Sequence, residues 1–375
     1  RWHSVTGVQT CALPILRLGI IGLPLSGKTT VFNALTRGDT PTTTAATGKL
    51  ETHTAIVDVP DARVDRLSAM FKPRKTIYAK VTYTDFAGLE QGIGKTGLTG
   101  QLRNQIATTD AFVLVIRGFE NSISPHPLGS VNPQRDLDLL HSEFMLADLV
   151  TAENRIARID EMLHKGARSE ERARLQDERV LFERLHAGLE AGLPLRDLEL
   201  TSVETDGLAG FGLLSLKPTL VLLSTGEDAC DPDTVLQYQH RQTAVMALQG
   251  KLEMELAQLP PDEATMFMEE FGIQELGLDR VIHTSYGMLG LCSFFTVGED
   301  EVRAWTLRQG STALDAAAAI HTDLARGFIR AEVVGYEELI ALGGMVAARK
   351  VGKVQLEGKE YLVRDGDIVH IRFSL

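Results

Sequence analysis

The fold of this chain is decided by Gly22-Leu23-Pro24-Leu25-Ser26-Gly27-Lys28-Thr29. The apolar run Leu16–Ile21 before it suits a buried strand, and apolar side chains recur at helical spacing in Lys28–Leu35 after it. The stretch has the pattern G-x4-G-K-[ST] between a strand and a helix, which is the context that a phosphate-binding P-loop requires. The sequence therefore predicts a nucleotide site at this turn.

The chemistry of the loop gives a role to each of its functional positions. Glycine lets the backbone turn tightly around a phosphate, and consecutive amides at the start of a helix point toward that phosphate. We expect Lys28 to act in catalysis by bridging the β- and γ-phosphates, and the Thr29 hydroxyl to bind Mg2+. The residues predicted to contact the nucleotide are Gly22, Leu25, Ser26, Gly27, Lys28, Thr29 and Thr30.

A second phosphate-facing element is predicted at Asp85-Phe86-Ala87-Gly88, which follows the strand-like run Lys80–Thr84. An aspartate at this position can hold Mg2+ through a water, and we expect the Gly88 amide to contact the γ-phosphate during catalysis. The next residue is Leu89, whose side chain cannot hydrogen-bond an attacking water. Intrinsic turnover should therefore be slow.

Two further parts of a nucleotide site are expected elsewhere. The threonine-rich segment 40–48 should supply a metal ligand, for which we favour Thr47 over Thr44. The buried strand Pro218–Leu223 ends in Ser224-Thr225-Gly226-Glu227, where Ras-like proteins carry Asn-Lys-x-Asp to recognise guanine. Neither the Asn nor the Lys is present, so guanine specificity is not supported.

The remaining apolar runs predict an α/β fold with a mainly parallel sheet, because near-continuous apolar strands are typical of sheets covered on both faces. These runs are Thr54–Val59, Ala79–Asp85, Ala111–Ile116, Thr219–Leu223 and Thr243–Leu248. Between the third and fourth, residues 136–193 have a charged helical pattern with apolar stripes at Ile156, Ile159 and Leu163 and at Leu181, Leu185 and Leu189. We predict an inserted antiparallel hairpin whose second helix is capped by Ser169.

The last residues of the chain predict a small α+β module. Val302–Leu307 and Phe328–Val334 suit strands, and Ala313–Ala325 suits a helix. We expect a nucleotide-binding domain at 16–135 and 205–290, the hairpin at 136–204, and the module at 291–375. Residues 1–15 lack the pattern of a signal peptide and are expected to be a non-native leader outside the fold.

Composition excludes several classes of protein. The net charge of −12 argues against nucleic-acid binding through overall charge, and no DNA partner is expected. The three cysteines, Cys11, Cys230 and Cys292, form no CxxC pair, so a zinc cage or disulfide framework is not expected and a cytoplasmic location is. No apolar run reaches the length of about 18 residues that a membrane span needs.

Several longer strings resemble the YchF-type Obg-like ATPases of the TRAFAC P-loop class. They are Val59-Pro60-Asp61, Asp85-Phe86-Ala87-Gly88-Leu89, Leu252-Glu253-Met254-Glu255-Leu256, the run from Phe294 through Arg303-Ala304-Trp305-Thr306 to Val333, and Asp365-Gly366-Asp367-Ile368-Val369-His370. The resemblance covers residues 16–375. It implies a P-loop domain, an inserted helical hairpin and a C-terminal TGS module of β-grasp type.

The resemblance also implies a function. It implies hydrolysis of ATP in preference to GTP, a hydrophobic residue such as Leu89 in place of the catalytic Gln, and association with ribosomes. We expect hydrolysis to depend on Mg2+, and we expect the hairpin and the TGS module to form the surface that contacts the ribosome or its RNA. The family's base-reading motif is Asn-x-x-Glu, so Ser224, Thr225 and Glu227 are the implied base contacts, with Ser224 in place of the Asn. A nucleotide-gated ribosome or RNA adaptor with little hydrolysis, and a GTPase, remain the alternatives.

Overall fold

The computed structural model describes residues 16–38, 52–86, 98, 100–166, 168–226, 230–270 and 275–374. The chain divides into two compact units. Among the described residues, one contains those within 17–55 and 83–281, and the other contains Leu16 and those within 56–82 and 282–374. Residues 56–82, which were expected to belong to the nucleotide-binding domain, group in the structure with the C-terminal residues. One reason is that Lys75–Ile77 pairs in parallel with Glu301–Arg303, a long-range pairing that no local sequence pattern predicts.

The strands form two six-stranded sheets within the described residues. They are β1 (Arg17–Ile21), β2 (Thr52–Asp58), β3 (Lys75–Ile77), β4 (Lys80–Phe86), β5 (Ala111–Arg117), β6 (Thr219–Ser224), β7 (Thr243–Leu248), β8 (Leu291–Val297), β9 (Glu301–Arg308), β10 (Phe328–Gly335), β11 (Gln355–Glu357) and β12 (Asp367–Phe373). The first sheet has the order β2-β4-β1-β5-β6-β7, and the second has the order β11-β10-β12-β8-β9-β3.

The helices cover most of the remaining described chain. They are α1 (Lys28–Thr36), α2 (Ala62–Phe71), α3 (Gly100–Ala107), α4 (Pro133–His164), α5 (Ser169–Glu190), α6 (Ser202–Leu208), α7 (Gly250–Gln258), α8 (Pro261–Glu270), α9 (Gly277–Met288), α10 (Ala313–Ile320), α11 (Thr322–Arg326), α12 (Tyr336–Leu342) and α13 (Met345–Lys350). Across the part of the chain described here, no helix is both long enough and apolar enough to cross a membrane.

The first sheet has a parallel centre, as the apolar runs predicted. β1, β5, β6 and β7 pair in parallel in that order. All seven residues of β5 and all six of β6 are buried, which is the burial expected of central strands in a covered parallel sheet. The carboxyl ends of these strands therefore meet at one edge, where α/β sheets place their ligands.

The helical hairpin is formed by α4 and α5. Asn132 caps α4 by accepting a hydrogen bond from the Arg135 amide, and Pro133 occupies the first turn, where its missing N–H costs little. The prediction that Ser169 caps α5 is wrong: Arg168 holds the cap position, without a side-chain cap bond, and Ser169 is the first helical residue. The Ser169 hydroxyl therefore lies one position beyond the cap and does not accept a hydrogen bond from the amides of the first turn.

Apolar packing and charge pairing both join the two helices. The predicted stripes meet in the hairpin core, where Ile159, Phe182 and Leu185 are fully buried. The Arg155 guanidinium forms two 2.8 Å hydrogen bonds to the Glu178 carboxylate. At the base of the hairpin, the buried Asp148 carboxylate of α4 accepts the amides of Leu214 and Ser215, each at 2.7 Å.

The C-terminal module departs from the prediction in the segment that was expected to be one helix. The predicted helix Ala313–Ala325 is two helices, α10 and α11, separated by His321 in an extended conformation. The His321 ring nitrogen Nδ1 accepts the Asp323 amide at 3.0 Å and so caps α11. A polar side chain able to bind a nearby amide competes with the helix at that position, because it offers the backbone another partner.

We expect Phe182→Ala to lower the free energy of unfolding by roughly 3–5 kcal/mol, because it opens a cavity in the hairpin core. The Phe182 ring lies 4.8 Å from that of Phe211. Val180 is 62% exposed on the same helix, and Val180→Ala should change stability by less than about 0.5 kcal/mol. Urea unfolding followed by far-ultraviolet circular dichroism measures both. Equal losses for the two variants would contradict the packing described here.

Candidate functional site

The loop between β1 and α1 has the backbone that phosphate binding requires. Gly27 caps α1 with φ +95°, and Leu25 lies in the left-handed region with φ +60°. A Cβ on Gly22 would come within 2.3 Å of the Val115 carbonyl oxygen, so this position has room only for glycine. The amides at the start of α1 follow directly, as predicted for an anion cradle.

The side chains of Lys28 and Thr29 bind different partners. The Lys28 ammonium donates to the Leu23 carbonyl oxygen at 2.8 Å, and the side chain is 9% exposed. The Thr29 hydroxyl donates to Oδ2 of Asp85 at 2.9 Å. Two residues that are 56 positions apart in sequence therefore meet, and both had been predicted as metal ligands.

Asp85, at the end of β4, is fully buried. Burial raises the pKa of its carboxyl group, and the nearby Lys28 charge and the Thr29 hydrogen bond oppose that rise. Its second oxygen, Oδ1, has no hydrogen-bond partner among the described residues. A buried carboxylate oxygen without a partner is costly, and a hydroxyl–carboxylate pair suits the oxygen ligands that Mg2+ prefers. The donor set therefore fits a magnesium ion.

Two other predicted loop residues also lie at this site. Ser26 is buried, and within the described ranges its hydroxyl oxygen has no hydrogen-bond partner. Thr30 occupies the first turn of α1, and its methyl carbon would lie 3.7 Å from a Cβ on Gly250. Gly250 is the first residue of α7, two positions after the end of β7, so the start of α7 approaches the first turn of α1.

The residues predicted to contact the base lie at the end of β6. Ser224 is buried, and its hydroxyl oxygen is 3.1 Å from the position that a Cβ on Gly27 would occupy. The Ser224 carbonyl accepts the Gly118 amide at 2.8 Å, and the Thr225 amide donates to the Leu248 carbonyl at 2.9 Å. Ser224 and Thr225 are therefore held beside the phosphate loop by the two neighbouring strands.

Several predicted site residues lie outside the described residues. They are Thr44 and Thr47 in the threonine-rich segment, Gly88 and Leu89 after β4, and Glu227 after β6. Their assigned roles therefore stay predictions.

One side chain at this site, that of Arg117, was not predicted from the sequence. Arg117, the last residue of β5, is 1% exposed, and its Nη1 lies 3.3 Å from the Leu25 carbonyl oxygen of the phosphate loop. The signal that could have revealed it is an arginine that directly continues the apolar run Ala111–Ile116. A charged residue buried at the carboxyl end of a central strand is uncommon unless it has a specific partner.

Two family models match the chain. Residues 17–155 match MMR_HSR1, described as a 50S ribosome-binding GTPase. Residues 291–374 match YchF-GTPase_C, described as a protein of unknown function. The first match contains the phosphate loop and Asp85, and the second covers the C-terminal module.

Curated relatives are similar over nearly the whole chain. The chain is 38% identical to the ribosome-binding ATPase YchF of Bacillus subtilis, over 96% of this chain and 100% of that protein. It is 37% identical to the protein of the same name from Pasteurella multocida, over 96% and 99%. The solved structure of the Schizosaccharomyces pombe YchF GTPase is 28% identical, with a TM-score of 0.81, over 96% of this chain and 99% of that one.

We expect Asp85→Asn to stabilise the nucleotide-free protein at neutral pH while weakening Mg2+-dependent nucleotide binding. Because the folded-state pKa of Asp85 is raised, its contribution to stability is fully present below the unfolded-state pKa and is lost as pH rises through the folded-state pKa. The melting temperature at about pH 7 should therefore be higher for the variant than for the unmodified protein. The difference between the two melting temperatures should shrink toward about pH 4.

Asp138→Asn is the matched control, because Asp138 is exposed and, among the described residues, accepts a hydrogen bond from Gln134 Nε2 of the same helix at 2.7 Å. It should leave both the melting temperature and the Mg2+ dependence unchanged. If Asp85→Asn lowered the melting temperature at neutral pH, the carboxylate would be stabilising and its assignment as a strained metal ligand would fail.

Proposed function

The chain belongs to the YchF family, and we propose that it is a Mg2+-dependent nucleotide switch that hydrolyses ATP in preference to GTP and associates with the ribosome. It is a P-loop nucleoside-triphosphate hydrolase. The relatives named ATPases match 96% of its length. The observation that carries the proposal is the 2.9 Å contact between Thr29 and Asp85 within a glycine-bounded phosphate loop.

The reaction is transfer of the γ-phosphoryl group to water. The Lys28 ammonium and the amides at the start of α1 stabilise the charge that develops on the phosphate oxygens. Thr29 and Asp85 are the residues that would hold Mg2+, which when bound supplies further neutralisation of that charge. We assign to the Gly88 amide a contact with the γ-phosphate, and to Thr47 a second metal contact.

Slow turnover is part of the proposal. Leu89 occupies the place at which Ras-like proteins have a water-orienting Gln, and a leucine side chain offers no hydrogen bond. Water must then be activated by the phosphate itself or by a group supplied by a partner. Hydrolysis should therefore be slow in isolation and faster in the complex with the partner.

The preference for ATP is supported by what β6 presents to the base. The strand ends in Ser224 and Thr225, and the buried Ser224 hydroxyl lies beside Gly27. Guanine recognition in Ras-like proteins uses an Asp that accepts two base N–H groups, together with an Asn and a Lys. In this chain the tetrapeptide Ser224–Glu227 contains neither that Asn nor that Lys, and Glu227 is its only charged residue.

The ribosome is the proposed partner, and the cytoplasm is the compartment in which the two would meet. Relatives of this chain are named ribosome-binding ATPases, and residues 17–155 match a family model described as a 50S ribosome-binding GTPase. We assign the contact to the α4–α5 hairpin and to a C-terminal module of TGS type. Exposed arginines on the hairpin, including Arg158, Arg168 and Arg172, suit RNA phosphates despite the net negative charge of the chain.

We expect the Mg2+ complex of an ATP analogue to bind the protein at least about tenfold more tightly than the Mg2+ complex of the matching GTP analogue does. Ser224→Asn should change the ratio of the two affinities, because the added amide lies beside the loop at the base end. Lys28→Ala is the control and should weaken both nucleotides equally. Isothermal titration measures all three proteins, and a clear GTP preference in the unmodified protein would overturn the ATP assignment.

A nucleotide-gated adaptor with little hydrolysis is the second candidate, and Leu89 together with Ser224 favours it. Single-turnover phosphate release, measured with and without ribosomes, distinguishes the two functions. Release that ribosomes accelerate supports the ATPase. Tight nucleotide binding without measurable release under either condition supports the adaptor.

We expect the double variant Arg168→Glu with Arg172→Glu to reduce co-sedimentation with ribosomes several-fold, because each reversal opposes an RNA phosphate. Point substitutions are preferable to deletion of the hairpin, since Asp148 of α4 holds the amides of Leu214 and Ser215.

Arg241→Glu is the matched control, because Arg241 is 57% exposed and lies outside the hairpin. It should co-sediment like the unmodified protein. Nucleotide hydrolysis in the absence of ribosomes should be unchanged in both variants. Unchanged co-sedimentation of the double variant would remove the hairpin from the proposed contact.

A further inference from the structure

Arg117 makes three hydrogen bonds to main-chain carbonyls from three separate places in the chain. Nε donates to the Phe119 oxygen at 3.0 Å, Nη1 to the Leu25 oxygen at 3.3 Å, and Nη2 to the Ser124 oxygen at 2.7 Å. The guanidinium carbon also lies 4.6 Å from the centre of the Phe119 ring. The rigid planar fork of arginine suits this arrangement, since it directs donors in three fixed directions.

The burial of this charge is costly. Arg117 is among the largest fully buried side chains of the described residues. Burial lowers the pKa of its guanidinium, and the charges of Glu120 and Asp136 only oppose that effect. The three acceptors are neutral carbonyls, which recover less of the cost than a carboxylate in direct contact does. Stability alone is therefore a poor reason for an arginine at this position.

The peptide group between Leu25 and Ser26 is held by hydrogen bonds on both of its sides. The Ser26 amide donates to the Leu23 carbonyl at 3.3 Å, which closes a turn with Leu25 in the left-handed conformation. The Leu25 carbonyl, on the other side of the same planar peptide, accepts from Arg117. The turn and Arg117 thus hold one peptide group from its two sides, directly before the amides that open α1.

We infer that Arg117 is a positioning residue for the nucleotide: by holding the Leu25 carbonyl, it orients the loop amides toward the phosphates. The inference rests on the proposed function, since it concerns the same phosphate site. A left-handed leucine is disfavoured without external support, because its Cβ crowds the following carbonyl. Arg117 supplies that support from β5 and does not itself contact the nucleotide.

The expected result is a loss of phosphate affinity without a change of base preference. Arg117→Met should weaken binding of Mg2+–ATP, Mg2+–GTP and pyrophosphate by at least about tenfold each, leaving the ATP:GTP ratio unchanged. Because the loop amides bind the phosphates in the ground state and also stabilise the charge that develops in the transition state, KM should rise and kcat should fall, so that kcat/KM falls by more than the affinity does.

Arg117→Lys separates geometry from charge. Lysine keeps the positive charge, but its single nitrogen cannot reach three carbonyls that lie in different directions. This variant should therefore bind nucleotide about as weakly as the Met variant. It also carries the test if the Met variant fails to fold. Restoration of full affinity by lysine would overturn the positioning role, since charge alone would then suffice.

Arg196→Met is the matched control for loss of a buried arginine. Arg196 is 5% exposed and donates to the Lys217 carbonyl at 2.6 Å and the Tyr238 hydroxyl at 2.7 Å, away from the loop. It should lower the melting temperature and leave nucleotide affinity unchanged. A folded Arg117→Met protein that binds pyrophosphate within about twofold of the unmodified protein would overturn the inference alone. An unmodified protein that binds no nucleotide would overturn the proposed function, and this inference with it.

Discussion

The contact between the Thr29 hydroxyl and the buried Asp85 carboxylate is the interaction on which the site depends. It joins the first turn of α1 to the end of β4, and it leaves one carboxylate oxygen without a hydrogen-bond partner in the described residues. Burial raises the carboxyl pKa, so the folded chain retains a group that works against its own stability at neutral pH. A buried carboxyl group with a raised pKa beside a phosphate-loop motif is a candidate functional group.

The central strand β5 forms the support for the phosphate loop. Its Val115 carbonyl lies where a side chain at Gly22 would otherwise project, and its last residue, Arg117, holds the Leu25 carbonyl. β5 is buried along its whole length and pairs in parallel with β1 and β6. A loop with a left-handed leucine therefore rests on a rigid element, and rigid support is what preorganised charge stabilisation requires.

The hairpin and the C-terminal module have hydrophobic cores of their own. The hairpin core is centred on Phe182 and Leu185, and the core of the module is centred on Phe294 and the alanines of α10. Ion pairs such as Arg179 with Asp160 lie at the partly exposed surface of the hairpin, where they contribute little to stability. The surface charges of the hairpin can therefore be specialised for a partner without loss of its fold.

The sequence by itself determined the phosphate loop, the parallel strands and the apolar stripes of the hairpin, because each depends on spacing within one short segment. It also identified Thr29 and Asp85, since both belong to local motifs. It misjudged the break at His321 and the first residue of α5, where a side-chain hydrogen bond or its absence decides the boundary. Only the tertiary structure placed residues 56–82 with the C-terminal strands and brought Arg117 to the Leu25 carbonyl. Both depend on pairings between segments distant in sequence, and no local periodicity encodes which distant carbonyl or strand a residue will meet.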